Sequence, residues 1–91
     1  MENKPYIFYE DPGHGWVAVP MNDLIALGVA DKITGYSYLL GETAYLEEDC
    51  DLPTFVRAYK KKYGKAPKGK TVYQEHTSIR SYPNYKYKEV A

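Results

Sequence analysis

Three groups of side chains along this 91-residue sequence are of types that bind ligands. The first lies in the stretch DPGHGWVAVP, the second is a set of tyrosines, and the third is a basic region interleaved with aromatic residues. The candidates, in chain order, are His14, Trp16, Tyr36, Tyr38, Tyr45, Lys68, Lys70, His76, Arg80 and Tyr82. Basic side chains beside aromatic rings are typical of surfaces that bind phosphates and stack on bases. The sequence therefore predicts either a surface for a nucleotide-like or other phosphate ligand or an ordinary solvated lysine face.

His14 stands between two glycines, directly before an alternating apolar run. It either decorates the tip of a turn between two strands or contacts a ligand. We interpret Gly13 and Gly15 as residues that the chain reversal requires. A positive φ at either position would exclude β-branched side chains, and we expect this strain to explain the glycines.

Other residue combinations allow different chemistry. His14, His76 and the acidic run 47–49 offer imidazole and carboxylate ligands for a divalent metal, although no pair has the i, i+4 spacing of a helical site. The acids that flank Cys50 should raise the pKa of its thiol, which favours a packed thiol over a nucleophile. Gly13 and Gly15 do not complete a phosphate-binding loop, because the chain continues as a strand.

The elements that position these residues follow from apolar periodicity and turn residues. Gly28 should end the first helix; Asp51 should be the N-cap of the second, and Gly64 should end it. The predicted strands are 6–9, 16–19, 33–40, 43–48 and 71–76, and the first helix is 21–27. The order β-β-α-β-β-α-β predicts a single α+β domain over 1–91, in which two helices pack on one face of a small antiparallel sheet of about five strands. The tail 85–91 is expected to fray.

The hairpin around Gly41 and Glu42 has a predicted register. A glycine-first, two-residue loop of type II′ pairs position 40 with 43, 38 with 45 and 36 with 47. Alternation then divides the side chains between two faces. One face carries Tyr36, Tyr38, Leu40, Tyr45 and Glu47, and the other, which should pack on a helix, carries Ser37, Leu39, Ala44 and Leu46.

The charge distribution is bipolar although the net charge is zero. Residues 1–51 contain ten acidic and two basic residues, and residues 52–91 contain ten basic and two acidic ones. This division favours association between copies, and a closed homodimer is the expected form. The single cysteine cannot form an internal disulfide, and we find neither a signal peptide nor an apolar run long enough to span a membrane. These features predict a cytoplasmic protein.

Five segments carry a resemblance that covers residues 8–82. The segments PGHGWxxVP, LGV, YSY, YLEEDCD and HxSIRxY are similar to small uncharacterised accessory proteins of phages and other mobile elements. The resemblance implies a protein that counters host defence stoichiometrically, inside the host cell.

Three functions follow from the residues together with this resemblance. The first is a non-enzymatic binding protein, without a cofactor, that sequesters a nucleotide-like or other phosphate ligand through Lys68, Lys70 and Arg80, with the tyrosines of the hairpin face as stacking surfaces. The second is an inhibitor of a host immune enzyme or nuclease, whose basic groove would meet the acidic run 47–51. The third is a small metal-dependent hydrolase that uses His14, Glu47 and His76.

Overall fold

The chain opens with the predicted hairpin. In the computed structural model, which describes residues 5–87, β1 (Tyr6–Glu10) and β2 (Gly15–Pro20) pair antiparallel. Helix α1 (Met21–Ala26) follows and buries Leu24. Gly28 has a φ of +75° just beyond the helix, which is the predicted helix-ending conformation.

The remaining elements complete a five-stranded sheet. They are β3 (Tyr38–Leu40), β4 (Thr43–Glu47), helix α2 (Leu52–Tyr63) and β5 (Gly69–Tyr73). The strands lie side by side in the order β3-β4-β2-β1-β5. Both helices contribute to one core with the sheet. The predicted α+β class, strand number, element order and placement of the helices on one face are confirmed.

One edge of the sheet is parallel, so the sheet is mixed rather than wholly antiparallel. Strand β4 runs antiparallel to β2, and β2 runs antiparallel to β1, so β4 and β1 point the same way. Helix α2 then carries the chain back as a crossover, and a helical crossover joins parallel strands. Strand β5 therefore pairs parallel with β1, with Tyr6 opposite Gly69.

The β3–β4 hairpin has the predicted register. Leu40 lies opposite Thr43 and Tyr38 opposite Tyr45, and Gly41 has a φ of +62°. The predicted faces are also correct, since Ala44 and Leu46 are fully buried against the helices. The predicted strand 33–40 is too long, however, because β3 begins only at Tyr38, so the predicted pair of 36 with 47 lies outside the observed ladder.

Asp51 explains why β3 is short. Its carboxylate is fully buried and accepts hydrogen bonds from the Thr34 backbone N–H at 3.0 Å and the Thr34 hydroxyl at 2.8 Å. The Ser37 hydroxyl donates a third bond to it. Residues 34–37 therefore turn around this carboxylate instead of extending the strand. Asp51 occupies the predicted N-cap position of α2, but its side chain makes no capping hydrogen bond.

The core lies between the sheet and the helices. Val17, Val19 and Leu46 from the sheet meet Phe55 and Tyr59 from α2, all of them at most 5 % exposed. Gly64, with a φ of +77°, ends α2 where predicted. Tyr63, the last residue of the helix, is 42 % exposed.

The C-terminal segment crosses the sheet face opposite the helices. It leaves β5 at one edge and forms a 3₁₀ turn (Ile79–Ser81). It then reaches the other edge, where Pro83 accepts a hydrogen bond from Leu39 and Tyr85 donates one to Ser37. The expectation of a frayed tail from residue 85 is wrong for Tyr85, which is 4 % exposed in the core. Residues 88–91 of that tail lie outside the described residues.

The glycines of the β1–β2 turn have ordinary backbone angles. Positive φ values occur, within residues 5–87, at Gly28, Gly41 and Gly64. The expectation of a positive φ at Gly13 or Gly15 is therefore wrong. Gly15 is constrained by packing instead, because an added Cβ would lie 2.5 Å from Cζ of Phe8 on the neighbouring strand.

We therefore predict that Gly15→Ala destabilises the protein by about 1–3 kcal/mol through overpacking. Gly35→Ala is the matched control, since an added Cβ there has no neighbour within 4 Å and the φ is not positive. Urea unfolding of both variants measures the difference. Combining Gly15→Ala with Phe8→Leu should restore part of the lost stability. Equal stability of the two single variants would contradict the packing explanation.

Candidate functional site

An open cavity of about 310 Å³ lies on the sheet face opposite the helices. We call it the aromatic–acidic pocket. Its lining residues are His14, Trp16, Tyr36, Tyr38, Glu47, Asp49, Cys50 and Arg80. They come from the β1–β2 turn, β2, the segment before β3, β3 itself, the end of β4, the segment between β4 and α2, and the C-terminal segment. The pocket therefore brings together residues that are distant in sequence.

The β1–β2 turn is built around the carboxylate of Asp11. One of its oxygens accepts the backbone N–H groups of Gly13 at 3.0 Å and His14 at 2.9 Å. The backbone N–H of Asp11 donates to the carbonyl of His14 at 2.9 Å. These bonds fix the backbone of His14, whose Nδ1 lies 3.5 Å from Oε2 of Glu47. The imidazole is thus a wall of the pocket rather than an isolated turn residue.

Arg80 connects the C-terminal segment to this turn. Its Nε and Nη2 donate to the two Asp11 oxygens at 2.9 and 3.0 Å, in a bidentate pair. The hydrogen bond from Arg80 holds the pKa of Asp11 far below its usual range, and Asp11 raises the pKa of Arg80 in return. The guanidinium also lies over the ring of Trp16, 5.4 Å from its centre. The charge of Arg80 is therefore already matched within the protein.

Glu47 and Asp49 give the pocket an acidic wall. Glu47 Oε1 accepts the backbone N–H groups of Asp49 at 2.8 Å and Cys50 at 3.0 Å. Burial acts to raise the pKa of Glu47, but these bonds, with those from the Cys50 and His14 side chains, lower it overall. Glu47 is therefore ionised at neutral pH. Asp49 lies beside it and is exposed to solvent.

Cys50 keeps its proton in this setting. Partial desolvation, the hydrogen bond to Glu47 and the charges of the neighbouring acids raise the pKa of its thiol, as the sequence predicts. A protonated thiol is a poor nucleophile and a poor metal ligand.

The aromatic walls differ in exposure. Trp16 is 2 % exposed and Tyr36 is 72 % exposed, with Tyr38 between these extremes. The indole N–H of Trp16 is buried and has no hydrogen-bond partner among the described residues. Tyr45 and Tyr82 extend the aromatic surface beyond the pocket, with ring centres 5.1 Å apart. Burial and the neighbouring Tyr82 and Tyr9 raise the pKa of Tyr45.

The structure brings some predicted site residues together and separates others. His14, Trp16, Tyr36, Tyr38 and Arg80 line the pocket, and Tyr45 and Tyr82 lie on the same face. Lys68, Lys70 and His76 do not line it.

Each of these three residues has a different position. Lys68 lines a cavity on the helix side of the sheet. Lys70 lies in β5, opposite Ile7. His76 lines a separate cavity with Arg80, next to the β1–β2 turn.

Asp11 is not among the candidate site residues from the sequence, whereas Asp49 belongs to the acidic run 47–51. A signal for Asp11 was present, because an aspartate before Pro-Gly often accepts backbone N–H groups in a turn. The position of Asp49 beside the aromatic rings could not be predicted, because it depends on the folding of the segment between β4 and α2.

The metal-binding prediction finds no support in the geometry. Within residues 5–87, no three His, Cys, Asp or Glu side chains are grouped so that they could hold a metal ion. Glu47 contacts His14, but His76 lines a different cavity. The described residues therefore do not form the three-ligand centre that the hydrolase hypothesis requires.

Comparisons with known proteins identify no relative from which a function for this fold or pocket could be inferred. No protein-family model, curated protein or solved structure matches this chain. In the described part of the chain, no helix has the length and apolar character needed to cross a membrane.

The Asp11–Arg80 pair predicts a specific loss of stability in acid. Because the pKa of Asp11 is lowered by folding, its contribution is complete above the ordinary carboxyl pKa of about 4 and is lost progressively below it. We expect the stability difference between the natural protein and Asp11→Asn to shrink between about pH 4 and about pH 2. Denaturant unfolding at several pH values measures this difference. Asp31→Asn, at an exposed position, is the control; a difference for Asp11→Asn that does not vary with pH would contradict the prediction.

Proposed function

We propose that this protein is a non-enzymatic binding protein whose aromatic–acidic pocket holds a basic side chain of a partner protein. The observation that carries the proposal is the combination of two carboxylates, Glu47 and Asp49, with the exposed ring of Tyr36. A lysine or arginine side chain interacts favourably with both kinds of group, through ion pairing and through cation–π contact. This is the inhibitor hypothesis that the acidic run 47–51 suggested.

The charge balance of the pocket supports a cationic ligand. Arg80 is the arginine of the lining, and its Nε and Nη2 atoms both donate hydrogen bonds to Asp11. Glu47 is ionised at neutral pH but 8 % exposed and already bonded to backbone N–H groups, so the exposed Asp49 supplies the unmatched negative charge at the opening. The carboxylates would repel a phosphate group. They would attract an ammonium or guanidinium group, which would replace water at the opening of the pocket.

The size of the pocket supports a single side chain as its occupant. Pockets for drug-sized ligands range from about 300 to 1,000 Å³, and this cavity of about 310 Å³ is at the lower limit. Because the pocket is open to solvent on the sheet face, the partner's surface around such a side chain can also approach. Tyr45 and Tyr82 continue the surface beyond the pocket and provide the amphipathic contact area common at protein interfaces.

A nucleotide-like ligand is the second candidate. Its support is the aromatic surface, on which a base could stack, and the guanidinium of Arg80 beside it. The phosphate-binding group proposed from the sequence is less favoured, because Lys68 lies on the helix side of the sheet and Arg80 is paired with Asp11. We therefore rank this candidate below the basic partner.

The resemblance to phage accessory proteins suggests a biological setting for the proposal. An accessory protein that acts stoichiometrically must occupy a functional surface of its target. Enzymes that act on nucleic acids carry basic grooves, because they bind a phosphate backbone. We propose that the acidic wall of the pocket competes with nucleic acid for such a groove in a host defence enzyme or nuclease.

The fluorescence of Trp16, the single tryptophan, provides the test. We titrate the protein with the peptide acetyl-Gly-Lys-Gly-Arg-Gly-amide and, separately, with adenosine monophosphate. We predict a saturable change with the peptide. Removal of the Asp49 charge in Asp49→Asn should weaken peptide binding about fivefold, which corresponds to about 1 kcal/mol. Tyr36→Ala should weaken it by a similar factor through loss of the cation–π contact.

Asp31→Asn removes an exposed acid outside the pocket and is the matched control for Asp49→Asn. It should bind the peptide as the natural protein does. Saturable binding of adenosine monophosphate without binding of the peptide would reject the basic partner in favour of the nucleotide. Equal weakening by Asp31→Asn and Asp49→Asn would show that only net charge matters, which would also contradict the proposal.

A further inference from the structure

Strand β5 forms one edge of the sheet, and its outer side is unpaired within residues 5–87. Most of its residues are exposed, and Tyr73 is the largest of them, at 57 % exposure. A free edge offers backbone N–H and C=O groups to any further strand.

The backbone pattern shows which groups point outwards. The carbonyl of Lys68 accepts the N–H of Tyr6, and the N–H of Gln74 donates to the carbonyl of Glu10, both at 2.8 Å. Even-numbered residues of β5 therefore direct their backbone groups to β1. Because successive residues alternate, Gly69, Thr71 and Tyr73 direct theirs away from the sheet.

These three residues have a self-complementary arrangement. If a second copy of β5 pairs antiparallel with the first and the two-fold axis passes through Thr71, the two Thr71 residues face each other. Gly69 of each copy then faces Tyr73 of the other. A tyrosine opposite a glycine is a favourable cross-strand arrangement, since the ring covers the exposed glycine backbone.

A cavity next to Gly69 has space for the tyrosine ring. Gly69 pairs with Tyr6, whose ring packs against Phe55, so this is the helix side of the sheet. There a cavity of about 280 Å³ is lined mainly by apolar side chains, with Phe8, Pro67 and Gly69 among them. Tyr73 stands on the same face as Gly69 because it is four residues further along the strand. In the two-fold arrangement, each Tyr73 is directed to the cavity of the other copy.

We propose that this protein forms a symmetric homodimer in which the two β5 strands pair antiparallel about Thr71 and create a continuous ten-stranded sheet. Tyr73 of each copy occupies the cavity beside Gly69 of the other. The dimer leaves the aromatic–acidic pockets on the opposite face of the sheet free. The proposal differs from association through the bipolar charge, because the Lys70 residues of the two copies lie one position from the axis on either side and repel each other. Added salt should therefore strengthen this dimer, not weaken it.

A cysteine cross-link tests the register. Opposed residues that exchange backbone hydrogen bonds have Cα atoms about 5.5 Å apart, within the range of about 4.4–6.8 Å that a disulfide spans. Thr71→Cys in a Cys50→Ser background should therefore give a covalent dimer on mild oxidation. Glu42→Cys in the same background is the control, because Glu42 is exposed in the loop at the other edge of the sheet. Equal cross-linking of both variants, or none with Thr71→Cys, would overturn the proposal.

Sedimentation equilibrium tests the contacts without a cross-link. Thr71→Pro removes an N–H that points away from β1, and proline is tolerated at such an edge position. We expect Thr71→Pro and Tyr73→Ala each to lower the association constant at least tenfold.

Tyr36→Ala is the control for Tyr73→Ala, because it removes another exposed tyrosine but should leave the dimer unchanged. Tyr73→Ala keeps every backbone donor, so it provides a result even if the proline variant unfolds. A natural protein that stays monomeric, or a dimer that survives Tyr73→Ala, would contradict the proposal. Neither the cross-linking result nor the sedimentation result depends on whether the pocket binds the peptide.

Discussion

The buried carboxylate of Asp51 holds together the segments that form the pocket. It accepts hydrogen bonds from the backbone and the hydroxyl of Thr34 and from the hydroxyl of Ser37. Ser37 in turn accepts the backbone N–H of Glu47 at 2.9 Å. A buried charge is tolerated only when hydrogen bonds replace its hydration. This requirement bends residues 34–37 towards the start of α2 and places Tyr36 and Tyr38 across from the acidic wall.

A second carboxylate organises the opposite side of the pocket. Asp11 accepts two backbone N–H groups of its own turn and binds Arg80 of the C-terminal segment. The chain therefore closes on itself across the sheet, and the aromatic face beneath is partly covered. Asp51 and Asp11 therefore hold the structure together, and the buried Glu47 also accepts two backbone N–H groups. Asp49, in contrast, is exposed and directs negative charge to the opening. This division of roles among the acids is the basis of the proposed preference for a basic side chain.

Local sequence signals predicted much of the fold but less of the pocket. Gly41 fixed the hairpin register, and Gly28 and Gly64 marked helix ends, because these effects involve neighbouring residues. The length of β3 could not be predicted, since it depends on Asp51, which is distant in sequence and was interpreted only as an N-cap. The requirement for glycine at position 15 could not be predicted either, because it comes from close packing against the ring of Phe8 on the neighbouring strand. Arg80 reaches Asp11 only because the C-terminal segment crosses the sheet face, and no local sequence pattern predicts that path.

Hydrogen exchange in Asp51→Ala tests most directly whether this carboxylate fixes the pocket. The amide of Thr34 donates to Asp51, and the amide of Glu47 donates to Ser37, which Asp51 orients. Hydrogen bonds to a charged group contribute about 1.5–3 kcal/mol, so both amides should exchange about tenfold faster or more relative to Val17 in the central strand. Asp49→Ala, two residues away and exposed, should leave both rates unchanged. Unaltered protection of Thr34 and Glu47 in Asp51→Ala would contradict the account.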